Sequence, residues 1–429
     1  MLFFYNLLFP FLFVLYLPMF VSKLIRRGGS RRHFAERFGL FSADRKSELA
    51  ALQKPIWIHA VSVGEAVAAC TFIRKWHERD PHLQFVLSTT TTTGHAIAEK
   101  KLPSSACLIY CPLDFYPFVR RTLKLLQPAM LVIFEVEIWP NLVSLTANRG
   151  IPVALVNARM SDKSARGYAK HKWLFGKLFR RFSIFCTQSR EDAERIRRVV
   201  GDDVPVYECN TMKFDQVVSP DETPDPTILD KVFGAVPRTT WVAASTHAGE
   251  EAMVVRIFKK LAPDLSGLKM VLVPRHHERT AEVERIMKEN GLSYARFTDL
   301  KSGDGKGEPV ECLLVNTTGE LMQFMAMADI IYMGKTMAGN SGGHNIIEPA
   351  ILGKPVVHGP HMENFRLVIE AFRKASATLE VNDPGELEAA IRELYADEEK
   401  RLQLGRTAQK VVEQSRGTIS RTLDLLDQL

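Results

Sequence analysis

Short apolar runs separated by amphipathic stretches recur along this chain, and that alternation limits its fold more than any other feature. "PIWIHAVSV" (55–63), "LQFVLSTT" (83–90), "ACLIYCP" (106–112), "AMLVIFEVE" (129–137), "IPVALVNA" (151–158) and "FSIFCTQS" (182–189) read as strands buried on both faces. Most are separated by helical stretches such as "EAVAACTFIRKWHER". The rhythm predicts right-handed βαβ units and a parallel sheet covered on both sides. A linker rich in proline and acid, "SPDETPDPT" (219–227), interrupts it. The rhythm restarts with "TTWVAAST" (239–246), "LKMVLVP" (268–274), "CLLVN" (312–316), "DIIYMG" (329–334) and "PVVHG" (355–359), and the chain ends in charged helices. At 429 residues two domains are expected, 33–218 and 228–429. The fold class is α/β: two doubly wound, Rossmann-like domains, with a ligand cleft between the carboxyl edges of their sheets.

The amino terminus is different in kind. "MLFFYNLLFPFLFVLYLPMFV" carries no charge and is followed by Lys23, Arg26, Arg27, Arg31 and Arg32. Its length is close to the ~20 residues that cross a bilayer. A signal peptide would place basic residues first and offer a small-residue cleavage site, so residues 1–32 are expected to be an uncleaved signal-anchor with a basic flank. The positive-inside tendency then keeps the body of the protein in the cytoplasm. Pro10 and Pro18 leave both a spanning and an interfacial helix open, and a helix docked on the protein itself is the alternative. The net charge of +7 favours an anionic partner without choosing among nucleic acid, membrane surface and phosphorylated substrate. The six cysteines are scattered and read as reduced core residues.

No complete P-loop and no GxGxxG follows a strand, which argues against nucleotide hydrolysis and nicotinamide chemistry. In "SVGEAV", Glu65 falls in the first turn of a helix at the sheet's carboxyl edge. There a carboxylate is either a capping device or a general base. "FEVEIWPNL" (134–142) ends a strand with Glu135 and Glu137 on one face, a pair that needs cations such as Lys213 or Arg159 nearby. A structural salt bridge is the plainer reading of that pair. In "NSGGHNIIEPA" (340–350), Gly342 and Gly343 are expected to let backbone amides approach a phosphate, and Glu348 to face the same way as Asn345. The plainer reading is a capped helix after a glycine turn. "VPRHHER" (273–279) brings Arg275, His276 and His277 to the same edge, and "TTGEL" (317–321) opens another helix with hydroxyls and a glycine. Two adjacent histidines without further ligands at suitable spacing make no metal site. Together these helix starts point to a nucleotide monophosphate or diphosphate ligand.

In order along residues 57–365, "HAVSVGE", "STTTTTG", "FEVEIWPNL", "NARMSDKSARGY", "CNTMKFD", "ASTHAGEE", "VPRHHER", "TTGEL", "GGHNIIEPA" and "HGPHMENF" resemble the 3-deoxy-D-manno-octulosonic acid (Kdo) transferases, bacterial glycosyltransferases of the GT-B fold. The resemblance implies an inverting transfer of Kdo from CMP-Kdo to a lipid A precursor, lipid IVA, in lipopolysaccharide biosynthesis. It implies Glu65 as the catalytic base, with Glu135 and Lys213 stabilising the transition state. Pro274, Arg275, Thr318, Gly319, Glu320, Asn345, Ile346, Ile347 and Glu348 match the nucleotide-binding segments. CMP-Kdo is then a donor substrate, and no cofactor, metal or nucleic-acid partner is implied; the anionic inner-membrane surface is. The sequence departs from the family at Asn316 and Thr318, where aspartate and methionine are common, and before the glycines in "GKTMAGNSGGHN". The alternatives are a GT-B transferase using another sugar nucleotide, a non-hydrolysing epimerase of that fold, and a non-catalytic lipid-binding protein.

Overall fold

The computed structural model describes residues 2–26, 33–216, 225, 227–302 and 308–429. The first sheet is built from β1 (Ile56–Ala60), β2 (Phe85–Thr89), β3 (Ala106–Tyr110), β4 (Met130–Phe134), β5 (Val153–Ala158), β6 (Ile184–Thr187) and β7 (Val206–Glu208). The second contains β8 (Thr239–Thr246), β9 (Leu268–Pro274), β10 (Tyr294–Arg296), β11 (Cys312–Leu314), β12 (Ile330–Met333), β13 (Val356–His358) and β14 (Leu379–Glu380). Every pairing is parallel. All eleven apolar runs became strands. Sequence periodicity missed β7, β10 and β14, which lie at sheet edges and are only two or three residues long, too short to show a period.

The strand order is β3-β2-β1-β4-β5-β6-β7 in one sheet and β10-β11-β9-β8-β12-β13-β14 in the other. Alternate residues of the first sheet feed opposite cores. Trp57, Leu131 and Ile133 join one apolar cluster, while Ile58, Val132 and Phe134 join another. A sheet buried on both faces has no polar side, which is why its strands read as continuous apolar runs.

The chain divides into two compact units: Met1–Gln216 with Gly417–Leu429, and Val217–Arg416. The expected second domain, 228–429, therefore gives up its last helix, Thr418–Leu426. Ile419, Leu423 and Leu426 are buried among Ile58, Ala69 and Phe72 of the first unit. Most of the expected linker, 219–227, lies outside the described residues.

Residues Leu2–Arg26 form one helix. Among the described residues, no helix is long and apolar enough to cross a membrane. The first turns of Leu2–Arg26 lie on the first unit, where Phe9 stacks on Phe115 with ring centroids 5.5 Å apart. The docked alternative thus describes part of the segment for which an anchor was expected.

Candidate active site

In a doubly wound sheet, ligands bind where the winding direction reverses, beyond the carboxyl ends of the two strands at that point. The strand orders place the reversals between β1 and β4 and between β8 and β12. The segments that follow these strands hold Glu65 and Glu135 in the first unit, and His247 and His344 in the second.

β1 runs into the helix Val63–Arg79 through a reciprocal cap. Ser62 Oγ accepts the Glu65 N–H at 3.2 Å, and the Glu65 carboxylate accepts from the Val61 N–H (2.8 Å) and the Ser62 N–H (3.3 Å). Glu65 is only 6% exposed, and the cap fixes its rotamer. The side chain is the capping device, and it stands beside two further carboxylates, Glu135 and Glu137. Each oxygen keeps a lone pair beyond the one the cap uses.

Glu135 follows β4 in the left-handed region, φ 58°, a conformation costly for a residue with a side chain. Burial, and then the Glu65 charge, push its carboxyl up to about 7, against the pull of Lys213 and Arg159. Burial and Glu65 also raise Glu137. Burial is the largest influence on Lys213 and lowers its ammonium, which Glu135 partly restores. The structure therefore gathers Glu65, Glu135, Glu137, Arg159 and Lys213 into one electrostatically coupled group. Its lysine is placed by Asn157, which the sequence reading passed over. Asn157 is also left-handed (φ 50°), and its Oδ1 accepts the Met212 N–H at 3.1 Å, fixing the 3₁₀ turn Met212–Asp215 that carries Lys213.

In the second unit a bulge at Ser245 (φ 54°) sets Pro274 opposite Thr246 and lets the Arg275 N–H reach the Thr246 carbonyl. Asn345 precedes the short helix Ile347–Ile351: its Oδ1 accepts the Ile347 N–H, and its Nδ2 donates to Glu348 Oε1 at 3.1 Å. Burial raises Glu348, while Asn345 and Arg275 draw it down, so these three residues are neighbours. Ile346 and Ile347 are fully buried, leaving only their backbone for a ligand. Thr318 and Gly319 sit in an exposed turn after β11; Glu320 is held by Lys301 (2.6 Å) and by the Thr317 hydroxyl (2.8 Å). The glycine amides differ from expectation. Gly342 N–H donates to Glu363 and Gly343 N–H to the Lys335 carbonyl, so both are engaged within the protein.

Three histidines from different loops meet here, a grouping the sequence reading did not foresee. His247 Nε2 lies 3.0 Å from His344 Nε2, and His276 stands edge-on to His247. Only one of the paired nitrogens can carry the shared proton, so the ring that accepts it is neutral. Burial lowers both, His344 to about 3 with help from His247 and Arg275. Among the described residues, no group of three or more histidines, cysteines or acids is arranged to hold a metal ion. Glu250, fully buried, ties the loops together by accepting the N–H groups of His247, Lys335, Thr336 and Met337 and the Tyr332 hydroxyl. Neutral histidines beside Arg275 and Lys335 make this edge suited to an anion carrying hydrogen-bonding groups.

The profile of the family described as 3-deoxy-D-manno-octulosonic-acid transferase (kdotransferase) matches residues 32–216. The chain is 30% identical to the 3-deoxy-D-manno-octulosonic acid transferase of Haemophilus influenzae, covering 92% of this chain and 91% of the relative. It is 31% identical to that of Bordetella pertussis, over 94% and 93%. The fold is similar to that of UDP-GlcNAc 2-epimerase from Neisseria meningitidis bound to UDP-GlcNAc: TM-score 0.54 at 12% identity, covering 84% of this chain and 99% of that one. HepE of Anabaena in complex with UDP is equally similar, with TM-score 0.54 at 12% identity over 88% and 100%. An epimerase on the same fold shows that architecture alone does not fix the reaction. Identity at this level over nine-tenths of both chains does: the protein belongs to the 3-deoxy-D-manno-octulosonic acid (Kdo) transferases, glycosyltransferases of the GT-B fold.

Proposed function

We propose that the chain moves Kdo from CMP-Kdo to a hydroxyl of a lipid A precursor, lipid IVA, with inversion, at the cytoplasmic face of the inner membrane. The observation that carries this reading is the group of Glu65, Glu135, Glu137, Arg159 and Lys213 at the β1–β4 reversal. Glu65, held by its cap, takes the proton from the acceptor hydroxyl. The oxygen forms a bond to the anomeric carbon of Kdo as the bond from that carbon to the phosphate oxygen breaks. Its electron pair leaves with cytidine monophosphate. Lys213 and Arg159 stabilise the negative charge that develops, and Glu135 modulates them. In the second unit, Arg275 and the Asn345–Glu348 pair bind the nucleotide: the guanidinium takes an anionic oxygen, and the carboxylate accepts from ribose hydroxyls. No cofactor enters the step.

One observation favours a second assignment of the base. Burial and the Glu65 charge push the Glu135 carboxyl up to about 7, where a general base works best, while both Glu65 oxygens already accept backbone N–H groups. The test is transfer of radiolabelled Kdo, generated as its CMP ester, to tetraacylated lipid A precursor by wild type, Glu65→Gln and Glu135→Gln. If Glu65 is the base, Glu65→Gln loses at least a hundredfold in kcat, whereas Glu135→Gln retains turnover and loses the pH dependence near 7. The reverse pattern moves the base to Glu135. No transfer by folded wild type turns the reading toward another sugar nucleotide.

A further inference from the structure

The first unit has a basic hollow at the sheet edge opposite its carboxylates. Lys54, Arg120, Lys124 and Arg149 line a cavity of about 630 Å³ whose wall contains no acidic side chain. Lys54 stands two residues before β1, while Ala129 and Ile151, also in the wall, stand one residue before β4 and two before β5. The hollow therefore opens at the amino ends of the three strands whose carboxyl ends lead to Glu65, Glu135 and Arg159. These strands are five or six residues long and rise about 3.3 Å per residue, so roughly 15 Å of sheet separates the hollow from the acidic cluster.

Among the described residues none of the four cations makes an ion pair, whereas Arg45, Arg79 and Arg195 of the same unit do. Helix ends account for two of them. Lys124 lies in the last turn of the helix Tyr116–Leu126, and Arg149 donates to the Leu145 carbonyl at the end of Pro140–Ala147. Lys54 and Arg120 have no such partner, since one precedes a strand and the other lies in mid-helix. Lys54 (φ 48°) and Gln127 (φ 42°), both in the wall, hold left-handed backbones that suit glycine better, a strain that gathers where ligands are clamped. Like charges that converge from three segments repel one another until an anion enters between them.

We propose that this hollow is a second anion site, separate from the transfer site, and that it takes a ligand carrying two or more linked phosphate groups. Its volume lies within the range of about 300–1,000 Å³ that holds small-molecule ligands, and a sphere of that volume is about 11 Å across. A phosphate chain concentrates its charges within that width. An acidic peptide instead sets successive carboxylates on opposite sides of an extended backbone. The two guanidinium groups offer forked donors that match phosphate oxygens in pairs, and the two ammonium groups act as point charges beside them.

The test reads acetylation of Lys54 and Lys124 by mass spectrometry in the full chain, with Lys75, half-exposed and paired with Glu78, as reference. Inorganic tripolyphosphate is expected to slow labelling of both hollow lysines at least fivefold and to leave Lys75 unchanged, while sulfate at equal ionic strength protects neither. In Arg120→Ala/Arg149→Ala the half-protecting concentration rises at least tenfold, and Arg120→Lys/Arg149→Lys recovers part of that loss. Both arginines are exposed, so the variants keep the fold; Arg120→Ala alone, which leaves the Leu145 contact in place, moves the concentration in the same direction. Vesicles containing cardiolipin separate the sources of the phosphate. Protection by tripolyphosphate and not by vesicles assigns a soluble ligand, and protection by vesicles that is lost in Arg120→Ala/Arg149→Ala assigns a lipid headgroup. Equal protection by sulfate overturns the site in favour of diffuse charge. Protection by polyglutamate but not by tripolyphosphate overturns it in favour of an acidic protein segment, and no protection by any of these overturns it outright. None of these readouts requires Kdo transfer, so the site stands or falls apart from that reading.

Discussion

Glu135 combines two costs that evolution rarely leaves in one residue without use: a left-handed backbone and a carboxyl raised by burial and by Glu65. Its folded-state value, about 7, lies above the ordinary carboxyl value of 4.5, so between those pH values the folded protein holds a proton that the unfolded chain has lost. Stability from this group is complete below pH 4.5 and falls as pH rises through 7. Glu135→Gln removes that dependence, so the variant should gain on wild type by about 1–3 kcal/mol between pH 5 and pH 8. Deeper depression of Lys213 in the variant acts in the same direction. Melting temperatures of the two proteins that stay parallel across pH 5 to 8 would refute the assignment. The residue scale is also where the sequence spoke unevenly. Glu65 was legible because its cap is local, closed within the five residues Val61–Glu65. The His247–His344 pair was not, because it joins residues 97 apart through loops whose meeting depends on strand order.

At the scale of elements, buried strands announced themselves by apolar runs, and the Thr91 and Ser62 caps fixed where their following helices begin. What sequence could not give was the use to which "SGGH" is put. Two glycines before a helix start suggested amides bared to a phosphate, yet the turn serves packing. Gly343 has φ 69°, and a Cβ there would lie 2.4 Å from Met362 Sδ and 3.2 Å from Met362 Cα. Gly339, at φ 80°, faces open space, so a methyl there meets strain without a clash. Gly343→Ala should therefore destabilise the second unit by about 1–3 kcal/mol more than Gly339→Ala. Thermal unfolding of the two variants side by side measures the difference. Equal melting temperatures would mean that Met362 moves aside without cost and that the glycine is kept for another reason, such as access of a ligand to the backbone.

On the scale of the whole molecule, the chain passes between its units twice, after Gln216 and after Arg416, and one carboxylate stands at both passages. Asp215 ends the turn that carries Lys213. Its oxygens accept the N–H groups of Gly417 (2.8 Å) and Ile419 (2.7 Å). The helix Thr418–Leu426 has a glycine at its N-cap and no side-chain cap of its own, so Asp215 supplies from 202 residues away what a local serine would normally provide. This explains why the domain division was only partly legible: the apolar residues of the last helix mark it as buried, but the group that caps it is remote in sequence. Asp215→Ala leaves two helix N–H groups without their charged acceptor, a loss of about 1–3 kcal/mol. Opening of the last helix should then become roughly five- to 150-fold more frequent, read as faster hydrogen exchange across Ile419–Leu426. Because the same turn fixes Lys213, Kdo transfer should fall with it, while binding of cytidine monophosphate, assigned to the second unit, stays at the wild-type level. Asp215→Asn keeps one acceptor oxygen and should recover part of both losses. Faster exchange with undiminished transfer would show that the last helix is fastened independently of the lysine, and would separate the clamp from the chemistry.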